Sequence, residues 1–452
     1  MTILGNKKRI SIVGLGQTGL SCARYLASEN IEFRVVDSRA KPPMQADFEL
    51  LFPYTELYCG EFADDIFIND DLLLISPGLS LQLPAIVKAV QQGVGLTSDI
   101  ALFMEKTKQP VIAVTGSNGK STVVSLLVAM FEQAGIKAVA GGNIGVPVLD
   151  LLLEKKKPDV YVLELSSFQL ELLDNLSPWS ATVLNVSEDH MDRYHDMEAY
   201  AEVKRKIYFG AEHIVFNRND KRSLPDQASC LSIRSFGQDK PGEDDLGIGS
   251  HKGRVFFFHG KEPLFAVESM KIKGAHNHLN AMAAMALCMP MNVRFGQMKK
   301  TLENFSGLPH RCQWVGDYQG VSFYNDSKAT NAGAAIAAIR GLSSDFSGMV
   351  LIAGGQDKGS DFTELAEVIR QYVSRVVLIG HDAEKMEKVI GADLCLYADN
   401  MPDAVKAAFD LAEKDNVVLL SPACASFDMF DNYQHRGHAF SEAVQALSGR
   451  AA

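Results

Sequence analysis

The chain has 452 residues, of which 47% are hydrophobic and 22% charged, and at roughly 150 residues per domain this length predicts about three globular domains. Its 44 basic and 55 acidic residues give a net charge of -11, which excludes a molecule-wide attraction to nucleic acid or anionic lipid. The seven cysteines include no C-x-x-C pair, so neither a zinc site nor a disulfide framework is indicated, and a reducing cytoplasm is expected.

The first hundred residues alternate short apolar runs with a helical pattern. The predicted elements are strands over Arg9 to Val13, Phe33 to Asp37 and Leu72 to Ile75, and a helix over Gly16 to Glu29. This alternation is typical of an α/β domain with a largely parallel sheet.

A glycine fingerprint lies between the first strand and the first helix. Gly14, Gly16 and Gly19 form a complete G-x-G-x-x-G, and Asp37 ends the next strand about 20 residues later. Taken alone, this pattern predicts an NAD-dependent dehydrogenase. The motif itself indicates only that a nucleotide or diphosphate can dock there, and it does not show that a hydride moves.

A second nucleotide loop opens the next α/β unit, whose boundary is predicted near residue 100. Thr115 to Thr122 follows a strand at Val111 to Val114 and opens a helix at Lys120. Backbone N–H groups at a helix N-terminus bind phosphate oxygens, so Lys120 is predicted to reach the β- and γ-phosphates and Ser121 to meet Mg²⁺. Val114 replaces the first glycine of a full Walker A motif, and the alternative is a surface turn with an accidental G-K-S.

Strands predicted over Tyr161 to Leu165 and Ala181 to Asn185 lead to further polar groups. Glu164 has the usual position of a magnesium ligand beside a phosphate loop, although it could instead cap the following segment. His190, in an acidic loop, suits a metal or a phosphate, but a single histidine is more often structural. Lys204 lies in a helix of mixed charge, and this pattern alone predicts a solvated face.

The rest of the chain continues the α/β pattern. Hairpins or loops are predicted over Asp220 to Pro263, a helix from near Asn277, and a buried stretch at Ala281 to Met291 that is too short to span a bilayer. A third unit begins near Phe305, with strands predicted at Val321 to Asn325, Val350 to Ala353, Val376 to Ile379 and Val417 to Leu420. Open α/β sheets bind ligands at the ends of such strands.

Four motifs follow one another along the chain: Thr115 to Thr122, Gly141 to Gly145, Glu164 to Leu170 and Asn185 to Tyr194. In this order they resemble the Mur ligase family and, within it, the members that add D-glutamate. The resemblance continues through Gly274 to Asn277, Leu308 to Arg311, Asp326 to Asn331, Gly354-Gly355 and Ser421 to Ser426. It therefore covers nearly the whole chain.

The resemblance implies an α/β fold of three domains. These are a Rossmann-like UDP-binding domain at 1–99, a P-loop ATPase domain at 100–304 and a Rossmann-like amino-acid-binding domain at 305–452. It also implies that ATP activates the carboxylate of UDP-N-acetylmuramoyl-L-alanine as an acyl phosphate, which D-glutamate attacks, in cytoplasmic peptidoglycan precursor synthesis. Two Mg²⁺ ions and a monomer are expected, without nucleic-acid binding or membrane insertion.

The resemblance also implies the site residues. ATP would contact Gly116, Ser117, Asn118, Gly119, Lys120, Ser121, Thr122, Asn277, Asn280, Arg311 and Asp326. The UDP-substrate would contact Gly14, Leu15, Gly16, Gln17, Thr18, Asp37, Arg39, Ser76, Asn143 and His190. D-glutamate would contact Lys328, Thr330, Lys358, Ser426 and Tyr433, although the loop around Lys358 departs from some family members. The catalytic groups would be Lys120, Glu164, His190, Lys204 and Lys328, and the metal ligands Ser121, Glu164, His190 and a carbamylated Lys204.

Carbamylation of Lys204 is chemically reasonable. Magnesium repels an ammonium group, whereas a carbamate offers it anionic oxygens. Its formation needs a neutral amine, which is scarce at the ordinary lysine pKa of about 10.4 unless burial lowers that pKa. The resemblance thus reverses the prediction of a solvated face.

Three other functions compete with this one. A nicotinamide-dependent oxidoreductase would explain Gly14 to Gly19 but not the second nucleotide loop. A related ligase for another amino acid, or one such as folylpolyglutamate synthase, would share the ATP chemistry. A nucleotide-gated binding protein would need the phosphate loop but not Glu164, His190 and Lys204 together.

Overall fold

The computed structural model describes residues 2–5, 7–189, 191, 193–226, 230–272, 274–343, 345–357 and 359–449. Two predicted site residues, His190 and Lys358, lie outside the described residues, as does Asp192 of the fourth motif. The described strands form three sheets, which confirms the expected mixed α/β fold.

The N-terminal sheet is parallel, with the order β3-β2-β1-β4-β5. Its strands are β1 (Ile10–Val13), β2 (Arg34–Asp37), β3 (Leu57–Cys59), β4 (Leu72–Ile75) and β5 (Gly95–Thr97). Its helices are α1 (Gln17–Ser28), α2 (Gln45–Leu51) and α3 (Pro84–Gln91). The central strands β1 and β4 are buried at every residue, as expected for a parallel sheet covered on both faces.

The central sheet has the order β14-β13-β12-β11-β10-β9-β6-β8-β7. Its strands are β6 (Val111–Thr115), β7 (Ala138–Gly142), β8 (Val160–Glu164), β9 (Ser180–Val183), β10 (His213–Asn217), β11 (Ser232–Phe236), β12 (Leu246–His251), β13 (Arg254–His259) and β14 (Glu262–Ala266). Its helices are α4 (Asp99–Lys106), α5 (Lys120–Gln133), α6 (Val148–Leu153), α7 (Ser167–Glu171), α8 (Met197–Arg205), α9 (Ala275–Cys288) and α10 (Phe295–Asn304). β12, β13 and β14 pair antiparallel, which confirms the hairpins predicted between Asp220 and Pro263.

The C-terminal sheet has the order β15-β16-β20-β17-β18-β19. Its strands are β15 (Gln313–Tyr318), β16 (Val321–Asn325), β17 (Gly348–Gly354), β18 (Arg375–Ile379), β19 (Cys395–Tyr397) and β20 (Asn416–Leu420). Its helices are α11 (Ala332–Leu342), α12 (Thr363–Tyr372), α13 (Ala383–Ile390), α14 (Met401–Leu411) and α15 (Tyr433–Gly449). Only β15 runs antiparallel to its neighbour among the described strand pairs of this sheet.

Helix α9 lies in the core of the central domain. Its residues from Ala281 to Cys288 are completely buried, and a 3₁₀ turn at Met289–Met291 follows it around Pro290. This confirms the predicted buried helix from Ala281 to Cys288, whereas Met289–Met291 are half-buried. In the part of the chain that the structure describes, no helix combines the length and apolarity needed to cross a bilayer.

One histidine joins the central and C-terminal domains. The ring of His276, at the start of α9, lies between two glycines, Gly274 just before α9 and Gly341 in α11. A Cβ added at Gly274 would be 2.9 Å from Cε1 of the ring, and a Cβ added at Gly341 would be 3.0 Å from Nδ1 of the ring. The ring also bonds to the backbone of Ala337 on α11, and burial lowers the pKa of His276 to about 4. The neutral ring therefore fits a joint that has no space for a side chain at either glycine.

Candidate active site

The phosphate loop connects β6 to α5. Gly116 has φ +155° and Gly119 has φ +85°, both in the left-handed region, and a Cβ at Gly119 would lie 2.4 Å from Oδ1 of Asn280. Lys120 Nζ donates to the carbonyls of Gly116 and Ser117 at 2.7 and 2.9 Å. Since Gly116 and Ser117 are buried, the alternative of a surface turn is wrong.

Glu164 stands at the end of β8, only 2% exposed, and faces the phosphate loop. Its Oε2 accepts from Ser121 Oγ at 2.5 Å, and its Oε1 accepts from the amide of Asn143 at 3.0 Å. Helix α7 has its own N-cap, Ser166, in a capping box with Gln169, so the alternative that Glu164 caps this segment is wrong. Asn143 was predicted among the UDP-substrate residues, and the structure places it on Glu164.

Ser121 and Glu164 offer the hydroxyl and carboxylate oxygens that Mg²⁺ prefers. Arg311 Nη2 also donates to Ser121 Oγ at 2.6 Å, which brings a cation from the C-terminal domain to the same point. Among the described residues, no three His, Cys, Asp or Glu side chains converge as a metal site. Magnesium commonly takes one or two carboxylates from the protein and further oxygens from phosphates and water.

Lys204 lies beneath the phosphate loop and is 1% exposed. Its Nζ donates to the Gly116 carbonyl at 3.0 Å and lies 4.5 Å from the ring centre of Tyr200. Burial first, and then the charge of Lys120, holds the pKa of Lys204 well below its ordinary value. The solvated face predicted by the helix pattern is therefore wrong, and the site favours the neutral amine that carbamylation requires.

The loop after β9 supports the phosphate loop through polar contacts. Asn185 Oδ1 accepts from the backbone N–H of Asn118 at 2.8 Å, and Ser187 exchanges hydrogen bonds with the hydroxyl of Ser117 at 2.9 and 3.0 Å. The fourth sequence motif thus contacts the first.

A cavity of about 470 Å³ lies between the central and C-terminal domains, a volume in the usual range for a small-molecule site. Its lining includes seven residues predicted to bind ATP: Asn118, Gly119, Thr122, Asn277, Asn280, Arg311 and Asp326. It also includes residues that the sequence analysis missed: Phe236, Lys271, Trp314, Tyr324 and Arg340. These five are spread over four helices or strands and one loop and share no motif, so no signal in the sequence could have grouped them.

Asp326 follows β16 at the wall of this cavity. Its carboxylate accepts from the backbone N–H of Cys312 at 3.0 Å and from Ser421 Oγ at 2.9 Å. Burial raises the pKa of Asp326 to about 7 against the opposing effect of these hydrogen bonds.

We expect Asp326→Asn to become more stable relative to the wild type as pH rises from about 4 to about 7. The unfolded carboxyl loses its proton near its ordinary pKa of 3.8, whereas the folded one keeps it until about 7, so the wild type loses unfolding free energy across this window. Asparagine has no such proton to lose. Melting temperatures of both proteins between pH 4 and pH 8 measure the difference, and a difference that stays constant with pH would contradict the assignment.

The predicted D-glutamate residues that the structure describes lie in the C-terminal domain, and Tyr433 begins α15. Lys328 Nζ lies 4.1 Å above the ring centre of Tyr433, and Ser426 is 3% exposed. Arg436, which the sequence analysis missed, is completely buried and donates to the carbonyls of Ser327 at 2.8 Å and Cys424 at 3.1 Å. It therefore ties the Lys328 and Ser426 loops together. Thr330, in the loop that contains Lys328, is half-buried.

The predicted UDP loop lies in the N-terminal domain between β1 and α1. Gly14 has φ +98°, and a Cβ at Gly19 would lie 2.0 Å from the Gly14 carbonyl, so both glycines are required by the backbone. Asp37 is 1% exposed and accepts from the N–H of Leu15 at 2.6 Å and from Nε of Arg39 at 2.9 Å. Although burial opposes it, hydrogen bonds from Arg39 and Leu15 hold the pKa of Asp37 below its ordinary value.

The remaining predicted UDP residues surround this loop. Ser76 Oγ donates to the Gly14 carbonyl at 3.0 Å, and the Arg39 side chain is 51% exposed. The side chain of Leu15 is buried, Gln17 is exposed, and Gly16 and Thr18 are half-buried. A ligand can therefore meet the backbone and the two polar side chains of this turn.

Comparison with known proteins covers all three domains. A model of the MurD-like N-terminal domain of Mur ligases matches residues 8–98, one of the Mur ligase middle domain matches 114–288, and one of the Mur ligase glutamate ligase domain matches 310–424. The structure also resembles MurF ligase from Thermotoga maritima in complex with ADP, with a TM-score of 0.61, 16% identity and full coverage of both chains.

Relatives named UDP-N-acetylmuramoylalanine--D-glutamate ligase match over almost the full length. The protein of Pseudomonas syringae pv. tomato is 45% identical over 448 residues, which are 99% of each chain. That of Legionella pneumophila strain Paris is 44% identical over 440 residues, which are 96% of this chain and 98% of the relative. The chain therefore belongs to the Mur ligase family.

Proposed function

We propose that the protein joins D-glutamate to UDP-N-acetylmuramoyl-L-alanine at the expense of ATP, in peptidoglycan precursor synthesis. Relatives with this name match 99% of the chain at 45% identity, which supports the substrates. The observation that supports the reaction class is the hydrogen-bonded Ser121–Glu164 pair, which lies beside Lys120 of the phosphate loop and which we assign to magnesium.

In the proposed reaction, the substrate carboxylate attacks the γ-phosphorus of ATP and ADP leaves. The acyl phosphate then accepts the amine of D-glutamate, phosphate departs and the amine loses a proton, which leaves an amide. A carboxylate is a poor electrophile because its oxygen is a poor leaving group. Phosphorylation makes that oxygen part of a phosphate, which is a good leaving group. Lys120 and Arg311 would neutralise charge on the transferring group.

Two magnesium ions are part of the proposal. When bound, they would neutralise part of the negative charge on the phosphate oxygens. Ser121 and Glu164 fit the first ion. A carbamate on Lys204, together with His190, would hold the second.

We assign the cavity between the central and C-terminal domains to ATP. Asn277 and Asn280 would contact the adenine, Asp326 the ribose region and Arg311 the phosphates, with residues 116–122 around the phosphate chain. The assignment is supported by Asn277, Asn280, Arg311 and Asp326, which line this cavity together with Asn118, Gly119 and Thr122 of the phosphate loop. The domain limits are proposed at 99/100 and 304/305.

We assign the other two substrates to the flanking domains. The turn of Gly14 to Thr18, with Asp37, Arg39 and Ser76, would hold the uridine diphosphate, and Asn143 and His190 would meet the sugar end. Lys328, Thr330, Lys358, Ser426 and Tyr433 would bind D-glutamate. Both carboxylate oxygens of Asp37 accept hydrogen bonds, from Leu15 and from Arg39. In a dehydrogenase the acidic residue at this position accepts from a ribose hydroxyl, whereas here its oxygens already have donors.

One assay tests the proposal. Phosphate release should require ATP, UDP-N-acetylmuramoyl-L-alanine and D-glutamate together, and neither L-glutamate nor a diamino acid should replace D-glutamate. Efficient use of a diamino acid would move the assignment to another ligase of the family. Reduction of NAD in place of phosphate release would overturn it.

A further inference from the structure

Three residues that follow β9 make contacts with all three domains. The backbone of Ser187 bonds to Ser117 of the phosphate loop, and Asp189 Oδ2 accepts from the Asn331 amide of the C-terminal domain at 3.3 Å. Arg193 Nη2 donates to the Leu79 carbonyl of the N-terminal domain at 3.0 Å. A single loop of the central domain therefore contacts the phosphate loop and both flanking domains.

Arg193 is held on the central-domain side by strong, directional contacts. Its Nη2 also donates to Glu171 Oε2 at 2.6 Å, while Tyr194 donates to the other oxygen of Glu171 at 2.5 Å. The guanidinium carbon lies 4.2 Å above the ring centre of Phe168. With the Arg193 and Glu171 side chains 18% and 14% exposed, the pair is partly shielded from solvent, so these charge-assisted bonds hold the guanidinium in one orientation.

A continuous set of hydrogen bonds leads from Arg193 to the predicted UDP loop. The Leu79 carbonyl accepts from Arg193, and the Leu79 N–H donates to the Ser76 carbonyl at 3.1 Å. The Ser76 hydroxyl then donates to the Gly14 carbonyl at 3.0 Å. The turn that Arg193 contacts is thus the same turn that packs against the glycine fingerprint.

We propose that Arg193 is a positioning residue that sets the UDP-binding domain on the loop after β9, so that the substrate carboxylate lies in line with the γ-phosphate of ATP. The inference rests on the proposed function. Arg193 acts through Leu79 and Ser76 and does not itself take part in bond making. Its partner Glu171 fixes the guanidinium, and Phe168 supports it from below.

The chain contains a matched control for this inference. Arg24 of α1 and Asp150 of α6 form another ion pair between the N-terminal and central domains, with Nε and Oδ1 2.9 Å apart. The Arg24 side chain is 34% exposed, and the pair joins two helices rather than the loop after β9. General docking of the two domains would depend on both arginines, whereas alignment of the substrate would depend on Arg193.

The test is steady-state kinetics of the full-length chain with all three substrates. We expect Arg193→Gln to raise KM for UDP-N-acetylmuramoyl-L-alanine and to lower kcat, with a combined loss in kcat/KM of about 10- to 100-fold, as for a lost hydrogen bond to a charged group. KM for ATP should stay within about twofold of the wild type. Arg193→Lys should recover part of the loss, because an ammonium can reach the Leu79 carbonyl and Glu171 but cannot stack on Phe168 in the same way. Arg24→Gln should change neither kcat nor KM for UDP-N-acetylmuramoyl-L-alanine by more than about twofold.

Three results would overturn the inference: unchanged kinetics in Arg193→Gln, an equal loss in Arg24→Gln, or an equal rise in KM for ATP. If Arg193→Gln melts below the assay temperature, Glu171→Gln serves instead, since it keeps Arg193 and removes the charge that orients it. That variant should show the same KM pattern with a smaller loss, and wild-type kinetics in it would count against the inference. Failure of the proposed function would look different, because the wild type itself would then release no phosphate with these substrates.

Discussion

Replacing Lys204 with alanine is expected to lower kcat by at least about a hundredfold, the scale seen when one group that stabilises a transition state is removed. Lys204 is buried below the Gly116 carbonyl, and burial lowers its pKa, so its amine can react with carbon dioxide to give an anionic ligand for magnesium. Alanine removes that ligand. Initial rates of phosphate release, with and without added acetate or formate, measure the loss and its partial rescue by a diffusible carboxylate.

The control for this experiment is an exposed lysine, Lys155→Ala, which should keep wild-type rates. Full activity in Lys204→Ala would refute the role of the residue. Loss of activity that no carboxylic acid restores, in a variant that melts like the wild type, would instead assign the lysine a role as an amine.

Glu164→Gln is expected to lower kcat by about 100- to 1000-fold and to raise the magnesium concentration needed for half-maximal rate. Glutamine can accept from Asn143 through its oxygen and donate to Ser121 Oγ through its nitrogen, but it lacks the charge that a hard cation needs. Titration of the initial rate with magnesium measures both effects. The exposed Glu154→Gln is the matched control, and an unchanged magnesium dependence in Glu164→Gln would remove Glu164 from the proposed metal site.

The long, well-patterned elements of the fold were predictable from sequence. Val111–Thr115 and Asn416–Leu420 are buried strands of β-branched and apolar residues, and turn or loop residues mark their ends. The short edge strands β3, β5 and β19 were not predicted, because three residues are too few to show a period and their strand character depends on pairing with a neighbour.

The candidate site divides in a similar way. The phosphate loop and Glu164 follow buried strands directly, so local sequence was enough to predict their neighbourhood. Lys204 and Arg436 could not be placed by pattern, because a charged residue in a helix is normally solvated and only the packing of distant segments buries these two. Contacts such as that of Arg193 with Leu79 join residues 114 apart in sequence, which no motif spacing encodes.

The joint formed by His276, Gly274 and Gly341 has a thermodynamic consequence. A ring packed between two glycines and one backbone hydrogen bond join α9 to α11 at this point, and a single such bond contributes only about 1 kcal/mol. An equilibrium between docked and separated domains is then easily biased by a ligand that contacts both sides. Each tenfold preference of a ligand for the docked arrangement shifts the populations by about 1.4 kcal/mol. A nucleotide bound in the cavity between the two domains would then add contacts that favour the docked arrangement.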